Sequence, residues 1–173
     1  MTITISTDYR TNKGSMENII DGNRSTYWGA SDAQAAGKSI VFSFSSPVTF
    51  LGITAVSGSA NGTQILSGTA LQVSCDGVNW KDAGAFDGNK ISVISGLSET
   101  RVMAVRIFWK GSSNKKLAFY EAELDYREEH AYIKKGGTWL PVKSMQKKND
   151  GRWSDSTDYP AILNKNIISH DTR

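Results

Sequence analysis

Short runs of alternating apolar and polar residues, separated by turns rich in Gly, Ser, Asn and Asp, constrain the fold of this chain most strongly. In the clearest run, Ile40, Phe42 and Phe44 share one face, which is the pattern of a half-buried β-strand. Pro47 then falls at a break, where no backbone donor is needed for a sheet. The next run, 48–56, is apolar on both faces and predicts a second, more deeply buried strand.

The rest of the chain repeats this pattern. Strand-like runs occur at 70–75, 91–94, 102–109 and 117–126. The dipeptide Asp76-Gly77 is a strong signal for a β-hairpin. About seven or eight short strands joined by such turns predict an all-β fold, an antiparallel jelly-roll β-sandwich. A parallel α/β fold is excluded because the sequence offers no helices from which to build it.

Composition and charge exclude several functional classes. Among the 173 residues, no apolar run reaches the roughly 18–20 residues of a membrane span, so membrane insertion is not expected. The alternating start of the chain lacks the basic and apolar regions of a signal peptide, so ordinary secretion is not expected either. Cys75 is the only cysteine, which excludes an internal disulfide. The net charge of +3 is small and predicts no nucleic-acid partner.

No pattern of a catalytic site is present in the sequence. His130 and His170 both lie near the C-terminus, far along the chain from Cys75. The sequence contains no nucleophile elbow, zinc-protease motif or phosphate-binding loop. We therefore expect no catalytic residues and a protein that is not an enzyme.

The segment from Glu17 to Trp28 contains an acidic turn. Asp21, Asn23 and Thr26 bring side-chain oxygens together around Gly22, whose freedom at positive φ suits a tight turn. Calcium prefers six to eight oxygen ligands, many of them carbonyls aimed inward by a turn. The alternative is a surface turn capped by its own Asp and Asn side chains. The sequence leaves both interpretations open.

Five motifs then follow one another in a fixed order: 18–28, 40–44, 71–80, 105–107 and 122–124. In this order they resemble the discoidin or coagulation-factor type C domains, which include the family-32 carbohydrate-binding modules. These domains belong to the galactose-binding-like jelly rolls. The resemblance covers about residues 1–126, which we take as the first domain.

The resemblance implies a bound Ca²⁺ near the acidic turn. Its ligands would be Asp21, Thr26, carbonyls of the turn such as that of Asn23, and a glutamate of the last strand. Glu123 fits the Ala-Glu-Leu pattern best, and Glu121, on the same face of the strand, remains the alternative.

The resemblance also implies a ligand site on loops at one end of the sandwich, where sugar-binding relatives use an aromatic platform with Arg, His or Asn. This chain departs from that pattern, because its 57–68 loop has no Arg and neither His lies in a matching place. Phospholipid-binding relatives carry exposed apolar spikes on these loops, which are polar here. The candidate ligand-binding residues are Tyr9, Arg10, Asn12, Trp109, Lys110, Asn114 and Phe119.

Residues 127–173 lie outside the resembling region and predict a small β-hairpin appendage. The segments 131–142 and 145–153 each combine a Lys-Lys pair, a tight turn and a Trp. One isolated hairpin is marginally stable in water, which favours packing on a partner, either another copy or another virion protein. Units of this type resemble the terminal pieces of tailed-phage virion proteins.

The sequence therefore favours a non-enzymatic bacteriophage virion component, a capsid decoration or a tail or fibre adaptor, that binds host surface carbohydrate. Its expected location is the virion, after assembly in the host cytoplasm. The alternative is a carbohydrate-binding module that acts as a cell-surface adhesin. The predicted core of the first domain consists of Ile20, Trp28, Phe42, Phe44, Ile53, Val73, Trp80, Val105, Ile107 and Leu124.

Overall fold

The computed structural model describes residues 1–58 and 62–129, together with the backbone of 132–135, 138–141, 146–149 and 152–155. The chain divides into two compact units, Met1–Glu129 and His130–Arg173. Among its described residues, the first has one 3₁₀ turn, Met16–Ile19. Its strands are β1 (Ile3–Thr7), β2 (Thr11–Lys13), β3 (Trp28–Ala33), β4 (Ser39–Ser57), β5 (Ala70–Ser74), β6 (Lys81–Ala85), β7 (Ile91–Ile94), β8 (Glu99–Phe108) and β9 (Lys116–Glu128).

Strand β4 connects the two layers of this first unit. Its first half lies between β1 and β8, with Ile40 opposite both Thr7 and Ile107. Its second half lies between β7 and β9, with Ile53 opposite both Ile94 and Leu124. The hydrogen-bonded path runs β2-β3-β9-β4-β8-β5-β6, and β1 and β7 pair with β4 alongside it. We call β1, β8, β5 and β6 with the first half of β4 the β8 layer, and the remaining strands the β9 layer.

This arrangement confirms the predicted antiparallel jelly-roll β-sandwich. The predicted break at Pro47 is not a break between two strands. Instead, β4 is continuous over 39–57, and its pairing with β8 shifts register between Ser43 and Val48. An irregularity of this kind bends a strand, so one strand serves both layers.

The space between the layers is filled by side chains from most of the strands. Seven of the predicted core residues are fully or almost fully buried, namely Trp28, Phe42, Phe44, Ile53, Val73, Val105 and Ile107. Ile20 and Leu124 are partly exposed and pack against the edge of this core. Trp80 does not belong to the core: it is half-buried outside it, against Arg106.

The second unit contains two hairpins in the part of it that is described. β10 (Tyr132–Lys135) pairs with β11 (Thr138–Pro141), and β12 (Gln146–Asn149) pairs with β13 (Arg152–Asp155), both antiparallel. Each pair forms a separate two-stranded sheet. These strands confirm the predicted hairpin appendage. In the described parts of the chain, no helix has the length and apolar character required to cross a membrane.

Candidate functional site

The acidic turn between the 3₁₀ turn and β3 is closed by its own polar groups. Asp21 Oδ1 accepts a hydrogen bond from the backbone N–H of Asn23 at 2.8 Å, and Asp21 Oδ2 accepts one from the Thr26 hydroxyl at 2.7 Å. The same hydroxyl lies 2.8 Å from the Asn23 carbonyl oxygen. Gly22 takes a φ of +74°, which most other residues would adopt only with strain. Oxygens of three residues therefore converge on one small region.

Glu121 on β9 is buried beside this turn. The residue is only 2% exposed, and its Oε2 has no hydrogen-bond partner among the described residues. Burial raises the pKa of the Glu121 carboxyl, as do the charges of Asp21 and Glu123, while the backbone N–H groups of Gly22 and Asn23 act in the opposite direction. A buried carboxylate is costly unless another group compensates its charge. Glu121 therefore presents an unpaired, buried carboxyl oxygen beside the turn.

Glu123 has a different environment, although it shares the outer face of β9. Its side chain is 53% exposed and forms an ion pair with Arg24. Its charge is therefore balanced by a protein cation and by water. Of the two glutamates, Glu121 is the one that the structure buries beside the turn, contrary to the preference for Glu123 drawn from the Ala-Glu-Leu pattern.

The oxygens at the turn suit a hard cation. The side-chain oxygen of Asn23 accepts a hydrogen bond from the backbone N–H of Ser25, which leaves the Asn23 carbonyl as its contribution to the cluster. Within the described residues, no group of three or more His, Cys, Asp or Glu side chains is placed to hold a metal. A cation here would rely on two carboxylates together with hydroxyl and carbonyl oxygens. That donor set fits calcium and does not fit zinc.

The three aromatic candidates for the ligand site lie inside the protein. Tyr9 is 4% exposed, and both Trp109 and Phe119 are fully buried. The Tyr9 and Trp109 rings meet edge to face with centroids 5.2 Å apart, and burial raises the pKa of Tyr9 to about 12. They cannot form a platform for a ligand, because burying large apolar rings in the core stabilises the fold more than exposing them.

A buried glutamine, Gln34, forms hydrogen bonds with two other loops of the sandwich. Gln34 is 1% exposed, and its Oε1 accepts hydrogen bonds from the indole N–H of Trp109 at 2.8 Å and from the backbone N–H of Leu66 at 3.2 Å. Its Nε2 donates to the Gln64 carbonyl oxygen at 2.7 Å. Its backbone N–H and C=O pair with Lys115 and Ser113. Gln34 thus connects its own loop, 34–38, with the loops before β5 and between β8 and β9. We call these three loops the loop end of the sandwich.

A charged cluster lies at the loop end. Asp32 accepts hydrogen bonds from the side chains of Arg10 and Lys38, and together these hold the pKa of the Asp32 carboxyl well below its usual range. The Lys38 ammonium also lies 4.6 Å from the centroid of the Tyr9 ring. The Arg10 side chain is 82% exposed, whereas that of Asp32 is 16% exposed. Arg10 is therefore oriented by its partner and remains open to a ligand.

The other polar candidates are exposed but do not form one site with Arg10. Asn12 lies on β2. Asn114 lies in the 109–115 loop, which the Gln34 contacts fix. Lys110 donates to Asp82, on β6 of the β8 layer. Lys110 shares the 109–115 loop with Asn114 but is paired with Asp82, and Arg10 is connected to the loop end through Asp32 and Lys38.

Sequence reasoning did not identify Asp32, Gln34 and Lys38. A lone Asp, Gln or Lys in a polar segment carries no spacing signal, and the Gln34 contacts join loops that are far apart in the sequence. The alternation of Ile40, Phe42 and Phe44 marked the start of β4 but not the loop that precedes it.

Comparisons with known proteins agree with the fold described above. A model of the F5/8 type C domain matches residues 2–121. A solved structure described as the CBM32 of AlyQ in complex with 4,5-unsaturated mannuronic acid is 24% identical, with a TM-score of 0.56 over 70% of this chain and 93% of that chain. CpGH89CBM32-5 from Clostridium perfringens, in complex with GalNAc-β-1,3-galactose, is 15% identical, with a TM-score of 0.60 over 70% of this chain and 94% of that chain.

A third similar structure is CBM32-1 from a family 31 glycoside hydrolase of Clostridium perfringens, which is 19% identical, with a TM-score of 0.55 over 69% of this chain and 92% of that chain. No curated protein matches the chain in sequence. The structural likenesses confirm the fold. Because the family model spans more than half of the sequence, the chain belongs to the F5/8 type C domain family.

Proposed function

We propose that this protein is a non-catalytic carbohydrate-binding module that attaches a larger assembly to a surface glycan through the loop end. The observation that carries the proposal is the exposed Arg10, held in place by Asp32 of β3, which also accepts a hydrogen bond from Lys38 in the 34–38 loop. A guanidinium oriented in this way donates hydrogen bonds to sugar hydroxyls with little further loss of side-chain freedom. Two of the similar structures, both CBM32 domains, are described in complex with sugars, which supports the same ligand class.

A glycan array followed by calorimetry on the best ligand tests this proposal. We expect Arg10→Ala to weaken binding about tenfold, because an oriented charged donor is lost. The matched control is Arg127→Ala, which removes an exposed arginine from β9 and should leave the affinity unchanged. Absence of any array ligand, or equal affinity in the wild type and Arg10→Ala, would contradict the proposal.

We further propose that the larger assembly is a bacteriophage virion, with residues 127–173 as the contact to other virion proteins or to a second copy. The support for this contact is that β10 and β11 pair only with each other, as do β12 and β13, among the described strands. Two-stranded sheets are marginally stable alone and gain stability from packing on a partner. The location of the protein in this proposal is the virion. A cell-surface adhesin built on the same binding domain is the alternative.

We also propose a structural calcium ion at the acidic turn. Asp21, Thr26, the Asn23 carbonyl and Glu121 would hold it, and the unpaired Glu121 Oε2 is the observation that supports this fit. When bound, the ion supplies the positive charge that the two carboxylates lack. It would tie the turn before β3 to β9, a cross-link between distant parts of the chain.

A further inference from the structure

Two aromatic rings and an arginine form a stack outside the core of the β8 layer. The guanidinium carbon of Arg106, on β8, lies 4.2 Å from the centroid of the Trp80 ring and 4.5 Å from that of the Phe108 ring. All three side chains are half-buried, and neither ring belongs to the core. Both rings thus lie within cation–π distance of the guanidinium, and this attraction helps to hold it in place. We call Trp80, Arg106 and Phe108 the arginine stack.

A chain of hydrogen bonds that begins at the buried Gln72 helps to fix this stack. Gln72 is 9% exposed, and its Oε1 accepts a hydrogen bond from Arg106 Nε at 2.7 Å. Gln72 Nε2 donates to Asp82 Oδ1 at 2.7 Å, and Asp82 Oδ2 accepts one from Lys110 Nζ at 2.6 Å. The Arg106 side chain is therefore held by a hydrogen bond at Nε as well as by its contacts with the two rings.

The outer edge of the guanidinium has no partner. Within the described residues, Arg106 forms no ion pair, and its two terminal amino groups make no hydrogen bond. The nearby acids are engaged elsewhere: Asp82 with Gln72 and Lys110, and Asp8 with the backbone N–H and hydroxyl of Ser39. An arginine fixed in position beside acids that do not pair with it is a preorganised donor.

The geometry of this donor selects its ligand. Two terminal amino groups of a planar guanidinium match the two oxygens of a carboxylate in a bidentate pair. The half-buried setting strengthens such a pair relative to one in open water. The flanking rings offer apolar edges to the carbon skeleton that carries the carboxylate.

We propose that the arginine stack is a second binding site, for the carboxylate of a uronic acid in an acidic saccharide. The choice of a saccharide as the carrier rests on the carbohydrate-binding function proposed above, whereas the carboxylate rests on the stack alone. The site lies on the β8 layer and shares no residue with the Arg10 cluster. A chain with both sites would bind an acidic glycan at two points.

Calorimetric titration of the full chain with oligomannuronate tests the site. The comparison ligands are a neutral oligomannose of equal length, a sulfated oligosaccharide and an oligoglutamate of equal charge. We expect oligomannuronate to bind at least about tenfold more tightly than each of these. In wild-type protein, the indole N–H resonance that Trp80→Phe removes should shift on oligomannuronate addition.

Substitutions then separate the contribution of the bidentate geometry of Arg106 from that of its positive charge. Arg106→Lys keeps the positive charge but loses the bidentate geometry, and we expect about tenfold weaker oligomannuronate binding. Arg127→Ala, on the other layer, should bind as the wild type does. Thermal melts of each variant report whether it is folded, and Trp80→Phe, which keeps an aromatic ring, is expected to bind within about threefold of the wild type.

The outcomes distinguish this site from the loop end. Neutral-glycan binding that depends on Arg10, without oligomannuronate binding that depends on Arg106, overturns only the second site. Oligomannuronate binding that depends on Arg106, without neutral-glycan binding that depends on Arg10, overturns only the loop-end proposal. If neither kind of binding is found, both proposals are overturned. Equal binding of oligoglutamate or of the sulfated sugar would contradict the uronate assignment.

Discussion

Glu121 combines deep burial, a raised pKa and an unpaired Oε2, and no ion pair among the described residues includes it. Glu123, two residues on, is instead exposed, and Arg24 and water compensate its charge. The contrast gives a matched pair of glutamates on one strand. It allows the calcium proposal to be tested one carboxylate at a time.

We predict that calcium raises the stability of the wild type and of Glu123→Gln but not of Glu121→Gln. A ligand that binds only the folded state stabilises it by about 2.7 kcal/mol at a hundredfold excess over its dissociation constant. Thermal melts in calcium and in chelator measure the difference, with metal analysis to confirm that the ion has been removed. Loss of the effect in Glu123→Gln alone would assign the ligand to the other glutamate, and no effect in the wild type would refute the ion.

Comparison of the wild type with Glu121→Gln also tests the pH dependence of stability that we expect without metal. The folded pKa of Glu121 lies above its ordinary value of 4.5, so the folded state binds this proton more tightly than the unfolded state does. Its contribution to stability is complete below the ordinary value and is lost as the pH rises through the raised one. In chelator, the stability of the wild type relative to Glu121→Gln should therefore fall as the pH rises from below 4.5, and calcium should reverse this loss at neutral pH.

For some of the aromatic residues, the sequence did not predict correctly which side chains are buried in the core. Trp109 and Phe119 were candidates for an exposed platform and are buried, while Trp80 was a candidate for the core and lies in the arginine stack. Alternation along a strand fixes which residues share a face, but not which face meets the core when a bulge or turn intervenes. Burial of Trp109 also depends on Gln34, a partner in another loop.

At the scale of elements, the sequence predicted the apolar residues of β4 but not that they form one continuous strand. Its two apolar runs were visible in the sequence, and the antiparallel sandwich followed from counting such runs. Continuity through Pro47 was not predictable, because a proline tolerated at an irregular strand position looks the same as one between strands. Strand β9 shows a similar effect, since its register against β4 shifts between Val56 and Ser57. That shift places both Phe119 and Ala122 in the core.

We predict that Phe44→Ala destabilises the first unit by about 3–5 kcal/mol, from lost apolar burial and the cavity that remains. Phe44 is 3% exposed, and its ring lies 5.4 Å from that of Tyr126 and 6.5 Å from that of Phe50, between centroids. Denaturant unfolding measures the change. Val93→Ala is the control: this residue is 60% exposed on β7, so we expect a change within about 0.5 kcal/mol. A loss below about 1 kcal/mol for Phe44→Ala would mean that the bend of β4 is not packed as described.

At the scale of the whole molecule, the first unit has the organisation of an independent domain. The family model ends at residue 121, while β9 continues to Glu128 and the compact unit to Glu129. The boundary predicted at 126 therefore falls inside β9. Pairs such as Thr49 with Arg127 and Val48 with Glu128 extend the β4–β9 ladder beyond it. A truncation intended to preserve the domain should keep all of these residues.

We predict that a chain ending at Glu129 folds cooperatively and keeps its glycan and calcium binding, but no longer assembles. Because the core lies within Met1–Glu129, the melting temperature should change by less than about 5 °C, which corresponds to roughly 1 kcal/mol for a domain of this size. Light scattering of the full and truncated chains at equal concentration measures assembly. A chain ending at Asp125, which cuts β9 short, is the comparison for stability and should melt at a lower temperature. If the chain ending at Glu129 forms the same assembly as the full chain, residues 130–173 are not the contact, and the assembly surface must lie on the first unit.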